Sequence, residues 1–110
     1  MSQTVLEKLS DMASEAHAKV QQDHANLNPI VGLSRGMRKS GIPADAVTID
    51  CLQTQKRIII ILHDQHPDIL QYQFAFKNKD PDGDFTVMQF SEITAETLYD
   101  WMVSYFLAAN

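Results

Sequence analysis

The hydrophobic pattern of this chain changes from a helical to an alternating period near residue 46, and no other feature constrains the fold as strongly. Before this point apolar residues recur at steps of three and four, which is the spacing of an amphipathic helix. From there to about residue 90, apolar and polar residues alternate in most segments, which is the spacing of a strand with one buried face. Because helical and extended segments are grouped and do not alternate regularly, the pattern predicts an α+β protein.

Two helices are predicted before the change of period. The first covers residues 2–26, with its apolar residues on one face. The second covers residues 28–41, where Asn28 suits the N-cap, Pro29 the first helical position and Gly41 the C-terminal end. The residues that define the apolar face of the first helix are Val5, Leu9, Met12, Ala16 and Val20.

Four strands are predicted after the change of period. The segment from Ile58 to Leu62 is apolar on both faces, so its strand is expected at the centre of the sheet with both faces covered. The connectors are short, which favours antiparallel neighbours. We therefore predict one domain over residues 1–110, a four-stranded antiparallel meander flanked by a long N-terminal helix, a short second helix and a C-terminal helix (α-α-β-β-β-β-α). The predicted strands are residues 46–52, 57–63, 69–77 and 85–90.

The predicted C-terminal helix, capped by Ser91 or Thr94 and running to about residue 108, is poor in charge. No charged residue follows Asp100. Its apolar surface extends to two sides, so the helix is either buried between the sheet and the first helix, or it contributes to an interface. One side carries Leu98, Trp101, Met102, Tyr105 and Phe106, and the other carries Tyr99, Val103 and Leu107. The residues predicted to form an interface, in a homodimer or with another protein, are Tyr99, Trp101, Val103, Tyr105 and Leu107.

The charge balance and the cysteine content restrict partners and location. The net charge of −5, from 14 acidic and 9 basic residues, gives no general attraction to nucleic acid or to anionic membranes. The longest apolar run is too short to span a membrane. Cys51 is the single cysteine, and no signal-peptide pattern precedes the first helix, so the cytoplasm is the expected location.

Two turns carry side chains of the types that bind metals. His63, Asp64, His66 and Asp68 fall within one predicted hairpin, and imidazoles with carboxylates are ligands for zinc and similar ions. The same residue types are also common in turns that bind nothing. The segment Asp80–Asp84 has three carboxylates and a Pro-Asp-Gly turn, which is either a polar hairpin turn or a weak calcium site.

The sequence shows no arrangement typical of a catalytic site. Cys51 falls on the apolar face of a predicted strand, which favours a core residue over a nucleophile. The first hypothesis is therefore a non-enzymatic protein-interaction or adaptor module that acts as a homodimer, with no cofactor. The alternative is a metal-binding accessory protein, or a small metal-dependent hydrolase, that uses the turn from His63 to Asp68.

Overall fold

A computed structural model of the chain describes residues 4–25, 27–76 and 85–107. The fold is α+β, and its one antiparallel sheet has the strand order β1-β2-β3-β4-β5. The predicted fold class and meander are confirmed, although the sheet has five strands and not four. The elements in chain order are α1 (Val5–Asp23), β1 (Ile30–Ser34), α2 (Gly36–Lys39), β2 (Ala44–Cys51), β3 (Lys56–His63), β4 (Ile69–Phe76), β5 (Thr86–Gln89), a 3₁₀ turn (Phe90–Glu92) and α3 (Ala95–Phe106).

The predicted second helix over residues 28–41 is mostly wrong, and this error accounts for the extra strand. Residues 30–34 form β1, and only residues 36–39 are helical. Gly32 weakens a helix at this position, whereas an extended conformation lets every residue from 30 to 34 pair with β2. This pairing is a long-range gain that the local apolar spacing does not reveal.

The two residues predicted to bound that helix have different outcomes. Asn28 caps no helix, because the residues after it lead into β1. Its Oδ1 instead accepts a hydrogen bond from Gln21 Nε2 of α1 at 3.1 Å. Gly41 does end α2, with a φ of 92°. Its amide donates to Arg38 O, and the next amide donates to Met37 O, so the left-handed glycine closes a Schellman motif.

Side-chain caps explain where the two long helices begin. Thr4 Oγ1 accepts a hydrogen bond from Glu7 N at 3.1 Å, so α1 starts at Val5, after the predicted residue 2. Thr94 Oγ1 accepts a hydrogen bond from Thr97 N at 3.1 Å. Of the two predicted caps, Ser91 and Thr94, it is therefore Thr94 that caps α3. Among the residues that the structure describes, no helix is long and apolar enough to cross a membrane.

Helices α1 and α3 contact each other and pack on the same face of the sheet. The central strand β3 supplies Ile58 and Ile60 to this face, and both are fully buried. Ile59 points to the opposite face and is also buried, at 7% exposure, which agrees with the predicted central position of this strand. The fully buried core between helices and sheet includes Leu9, Val20, Leu27, Ile49, Ile58, Ile60, Leu70, Leu98, Met102 and Phe106.

Buried charged side chains in the described part of the chain all have partners, because an unpaired buried charge is costly. Asp45 is paired with Arg38. Asp50 is paired with Arg57, its direct neighbour on β3, at 2.6 Å. Lys56, at 2% exposure, donates to a backbone carbonyl of α3. The charges therefore tie elements together within the fold.

Candidate interaction surface

Helix α3 lies between α1 and strand β4, and its sides have different environments. Leu98, Met102 and Phe106 face the sheet and are buried. Trp101 and Tyr105 contact aromatic residues of β4. The predicted alternative of a helix buried between the sheet and the first helix therefore describes one side of α3 well, while the side towards β4 remains partly open.

The contacts between α3 and β4 are aromatic. The Tyr72 and Trp101 ring centroids are 4.4 Å apart, and Phe74 meets Trp101 edge-on at 5.7 Å. Phe74 also stacks on Tyr105 at 5.0 Å. Offset and edge-to-face contacts of this kind are the favoured geometries of aromatic pairs. We call Tyr72, Phe74, Phe76, Trp101 and Tyr105 the aromatic surface.

Part of the aromatic surface faces outward. Phe74 is 42% exposed and Phe76 is 39% exposed, although both point to the helix side of the sheet. Within the described residues, β5 pairs with β4 over Ile69–Tyr72, and both phenylalanines lie further along β4 than this stretch. Both rings are therefore accessible to solvent.

Two hydrogen bonds position Tyr105 within the aromatic surface. Tyr105 Oη donates to Ala75 O at 2.7 Å, and Lys56 Nζ donates to Tyr105 O at 2.9 Å. The Lys56 ammonium also lies 5.0 Å from the centroid of the Tyr105 ring, a cation–π distance. Burial raises the pKa of the Tyr105 hydroxyl, which therefore stays a neutral donor. The Tyr105 ring is therefore held by contacts with both β3 and β4.

Tyr99, which was predicted to lie in an interface, bonds within the chain. Its hydroxyl donates to Asp23 Oδ2 at 2.8 Å, and Lys19 Nζ lies 4.6 Å from its ring centroid. The bond to the Asp23 carboxylate raises the pKa of Tyr99. Val103 lies one turn further along the same side of α3 and is partly buried against the core. Tyr99 and Val103 thus contribute to the packing of α3.

The five predicted interface residues therefore do not lie on one surface of α3. Trp101 and Tyr105 belong to the aromatic surface, and Leu107 is 47% exposed at the end of α3. The interface itself remains a prediction. Phe74 and Phe76 were not identified as candidates from the sequence, although their alternation with glutamine in the strand was visible.

In the turn predicted to bind a metal, the Asp64 carboxylate is paired with Arg38. Arg38 Nη1 and Nη2 donate to the two carboxylate oxygens of Asp64 at 2.8 and 2.6 Å. Among the described residues, no three His, Cys, Asp or Glu side chains lie close enough to hold one metal ion. The site formed by His63, Asp64, His66 and Asp68 thus gains no support from this geometry and stays a prediction. The Asp80–Asp84 turn lies outside the described residues.

Arg38 binds two carboxylates and joins three parts of the fold. It donates to Asp45 from Nε at 2.8 Å and from Nη2 at 2.9 Å, in addition to its two bonds to Asp64. A bidentate guanidinium–carboxylate pair is strong and has a defined orientation. These bonds connect α2 with the start of β2 and with the turn after β3, beside an open cleft of about 570 Å³ at the start of α1. We call the side chains of Arg38, Asp45 and Asp64 the Arg38 clamp.

We expect the stabilising effect of the Arg38 clamp to disappear in acid. Hydrogen bonds from Arg38 lower the pKa of both Asp45 and Asp64. A carboxyl whose pKa is lower in the folded state stabilises the protein above its unfolded pKa of about 3.9, and this stabilisation is lost as the pH falls through the folded value. Thermal unfolding of wild type and Arg38→Gln should therefore give midpoints that differ most near neutral pH and converge below about pH 4.

Lys39→Gln is the matched control for this prediction, because Lys39 is an exposed cation on the same short helix. Its midpoint should follow that of wild type at every pH. A difference between wild type and Arg38→Gln that stays constant down to the acid limit would contradict a role for the ion pairs.

Comparison of the chain with protein-family models, curated proteins and solved structures finds no significant match. The aromatic surface is the feature of the described residues whose geometry bears most directly on function.

Proposed function

We propose that this chain is a non-enzymatic protein-interaction module that binds a partner protein through the aromatic surface. The observation that carries the proposal is the exposure of Phe74, which contacts the rings of Trp101 and Tyr105, and of Phe76, which lies two residues further along the same side of β4. Scattered apolar residues on a surface need no explanation, but adjoining aromatic rings are typical of binding sites.

The chemistry of the aromatic surface indicates an apolar anchor on the partner. None of its five side chains carries a charge, and among the described residues the ammonium that contacts it, that of Lys56, is enclosed. Tryptophan and tyrosine are enriched among residues that dominate binding energy, and rings held in place lose little entropy on association. Affinity for the partner should therefore depend weakly on salt, because screening acts on charge pairs.

The proposal is tested by replacing the two exposed rings with glutamine. Strand β4 already carries glutamine at positions 71 and 73, so Phe74→Gln and Phe76→Gln suit the strand while removing the apolar anchors. We expect that a protein which cross-links to wild type in stoichiometric amount does not cross-link to either variant. Identification of the cross-linked residues by mass spectrometry should place them on β4 and α3.

Val87→Gln is the matched control, since Val87 is 57% exposed on β5 and lies outside the aromatic surface. This variant should retain every partner of wild type. Circular dichroism establishes that each variant is folded. If folded Phe74→Gln and Phe76→Gln capture the same proteins as wild type, the aromatic surface is not the binding site.

A further inference from the structure

Strand β1 is an edge strand that lacks the features by which proteins usually protect edges. Its sequence Ile-Val-Gly-Leu-Ser contains no charge and no proline. Ile30, Val31 and Leu33 are 45%, 39% and 50% exposed. Exposed apolar edges pair readily with another strand, and natural proteins block them with lysine, proline or bulges. The unprotected edge therefore indicates a strand that pairs.

The sequence of β1 is complementary to itself in the antiparallel direction. With a two-fold axis at Gly32, Val31 stands opposite Leu33 of the partner subunit, and Ile30 stands opposite Ser34 of the partner subunit. Apolar cross-strand pairs stabilise a sheet, and a two-fold interface uses the same surface on both copies. At the axis, Gly32 presents no side chain. A Cβ there would lie 3.2 Å from Thr48 Oγ1, which is a tight contact.

The charges at the two ends of β1 are opposite in sign. The strand leads into Arg35, and the short helix that follows carries Lys39 in its last turn and no acid in its first. Arg38 of the same helix is paired with Asp45 and Asp64, so Arg35 and Lys39 give this end its positive charge. The other end of β1 adjoins the C-terminal end of α1, because Gln21 of α1 is hydrogen-bonded to Asn28, just before the strand. That helix end has no basic residue in its last turn, carries Asp23, and has the negative end of the helix dipole. Antiparallel pairing of two copies brings each basic end beside the acidic end of the other.

The opposite edge of the sheet does not have this complementarity. Strand β5 is also free of charge, but Asp84 precedes it and Glu92 follows it in the sequence. The described turn after β5 thus carries an acid and no base, in a chain whose net charge is already −5. Like charges at close range oppose association.

We propose that two copies of this chain form a homodimer by antiparallel pairing of β1 with β1, centred on Gly32. The two five-stranded sheets become one continuous sheet. Val31 and Leu33 of both copies extend its apolar face beside the groove of about 380 Å³ between α1 and β1. The aromatic surface lies on β4 and α3, away from this edge, so the dimer has two copies of it. The dimer proposal does not depend on the function proposed for that surface.

Sedimentation over a range of protein concentrations tests the dimer. Wild type should have twice the chain mass of 12.4 kDa, and the Val31→Lys/Leu33→Lys variant should have the mass of one chain, because lysine is a natural blocker of edges. Both positions are exposed, so the variant should keep the circular dichroism spectrum of wild type. Val87→Lys, on the opposite edge, and Phe74→Gln, in the aromatic surface, should remain dimers.

Cysteine cross-linking tests the register. In the Val31→Cys/Leu33→Cys variant, each new cysteine faces one in the partner at a Cα separation of about 4.5–5.5 Å, within the range of a disulfide. Oxidation should yield a covalent dimer, whereas Val31→Cys alone should not, since the two copies of that residue lie diagonally apart. The remaining thiol, Cys51, is buried. A monomeric wild type, a dimer that Val87→Lys dissociates, or a dimer that does not cross-link through this pair would overturn the proposal.

Discussion

Replacement of Phe106 by alanine is expected to lower the free energy of unfolding by about 3–5 kcal/mol. Phe106 is 1% exposed at the end of α3 and belongs to the main core cluster. Removal of its ring loses the free energy of transfer from water and leaves a cavity that the rigid sheet below cannot fill. Urea denaturation followed by circular dichroism measures the change.

The next residue supplies the control for Phe106→Ala. Leu107 is 47% exposed, so Leu107→Ala should change the free energy of unfolding by about 0.5 kcal/mol or less. The sequence places both residues on the apolar sides of α3, and only the rotation of the helix distinguishes them. Equal losses for the two variants would mean that α3 faces the sheet with a different side.

Replacement of Lys56 by methionine is expected to cost roughly 1.5–3 kcal/mol, the range for hydrogen bonds made by charged groups. Lys56 is 2% exposed, and its ammonium donates to Tyr105 O in the last turn of α3. A cation at this end of a helix also complements the helix dipole. Methionine retains most of the apolar stem but has no donor, so the Tyr105 carbonyl loses its charged partner.

The site of this loss is as informative as its size. In Lys56→Met, amide hydrogen exchange should accelerate at the C-terminal turn of α3 more than in α1, because the lost bond joins β3 to that turn. Lys8→Met is the control, since Lys8 is exposed on α1, and its exchange should match that of wild type. A Lys56→Met protein as stable as wild type would show that apolar packing of the stem, and not the ammonium, matters at this position.

Periodicity was sufficient to predict most of the secondary structure of this chain. The helices α1 and α3 and the strands β2 to β5 were each expected within a few residues of their observed limits. Their apolar spacing is a local property, and short connectors imply antiparallel neighbours. Strand β1 was missed because Ile30 and Leu33 also have helical spacing, and its conformation depends on pairing with β2.

The candidate surface was predicted in part. Trp101 and Tyr105 were expected at an interface because α3 has more apolar surface than one contact can cover. Their neighbour Phe74 was not, because its contacts with Trp101 and Tyr105 join β4 to a helix far along the chain. Likewise Asp64 was considered as a metal ligand, while its bonds to Arg38 could not be foreseen from residues so distant in sequence.

The sequence by itself determined the fold class, the central position of β3 and the apolar side of each long helix, because these follow from the period with which side chains point inward. The tertiary structure alone decided three further features: that α3 turns Phe106 to the core and Leu107 to solvent, that Phe74 meets Trp101, and that β1 is an exposed edge. Each of these depends on helix rotation or strand register. Those are determined by contacts between residues far apart in the chain, on which local apolar spacing has no bearing.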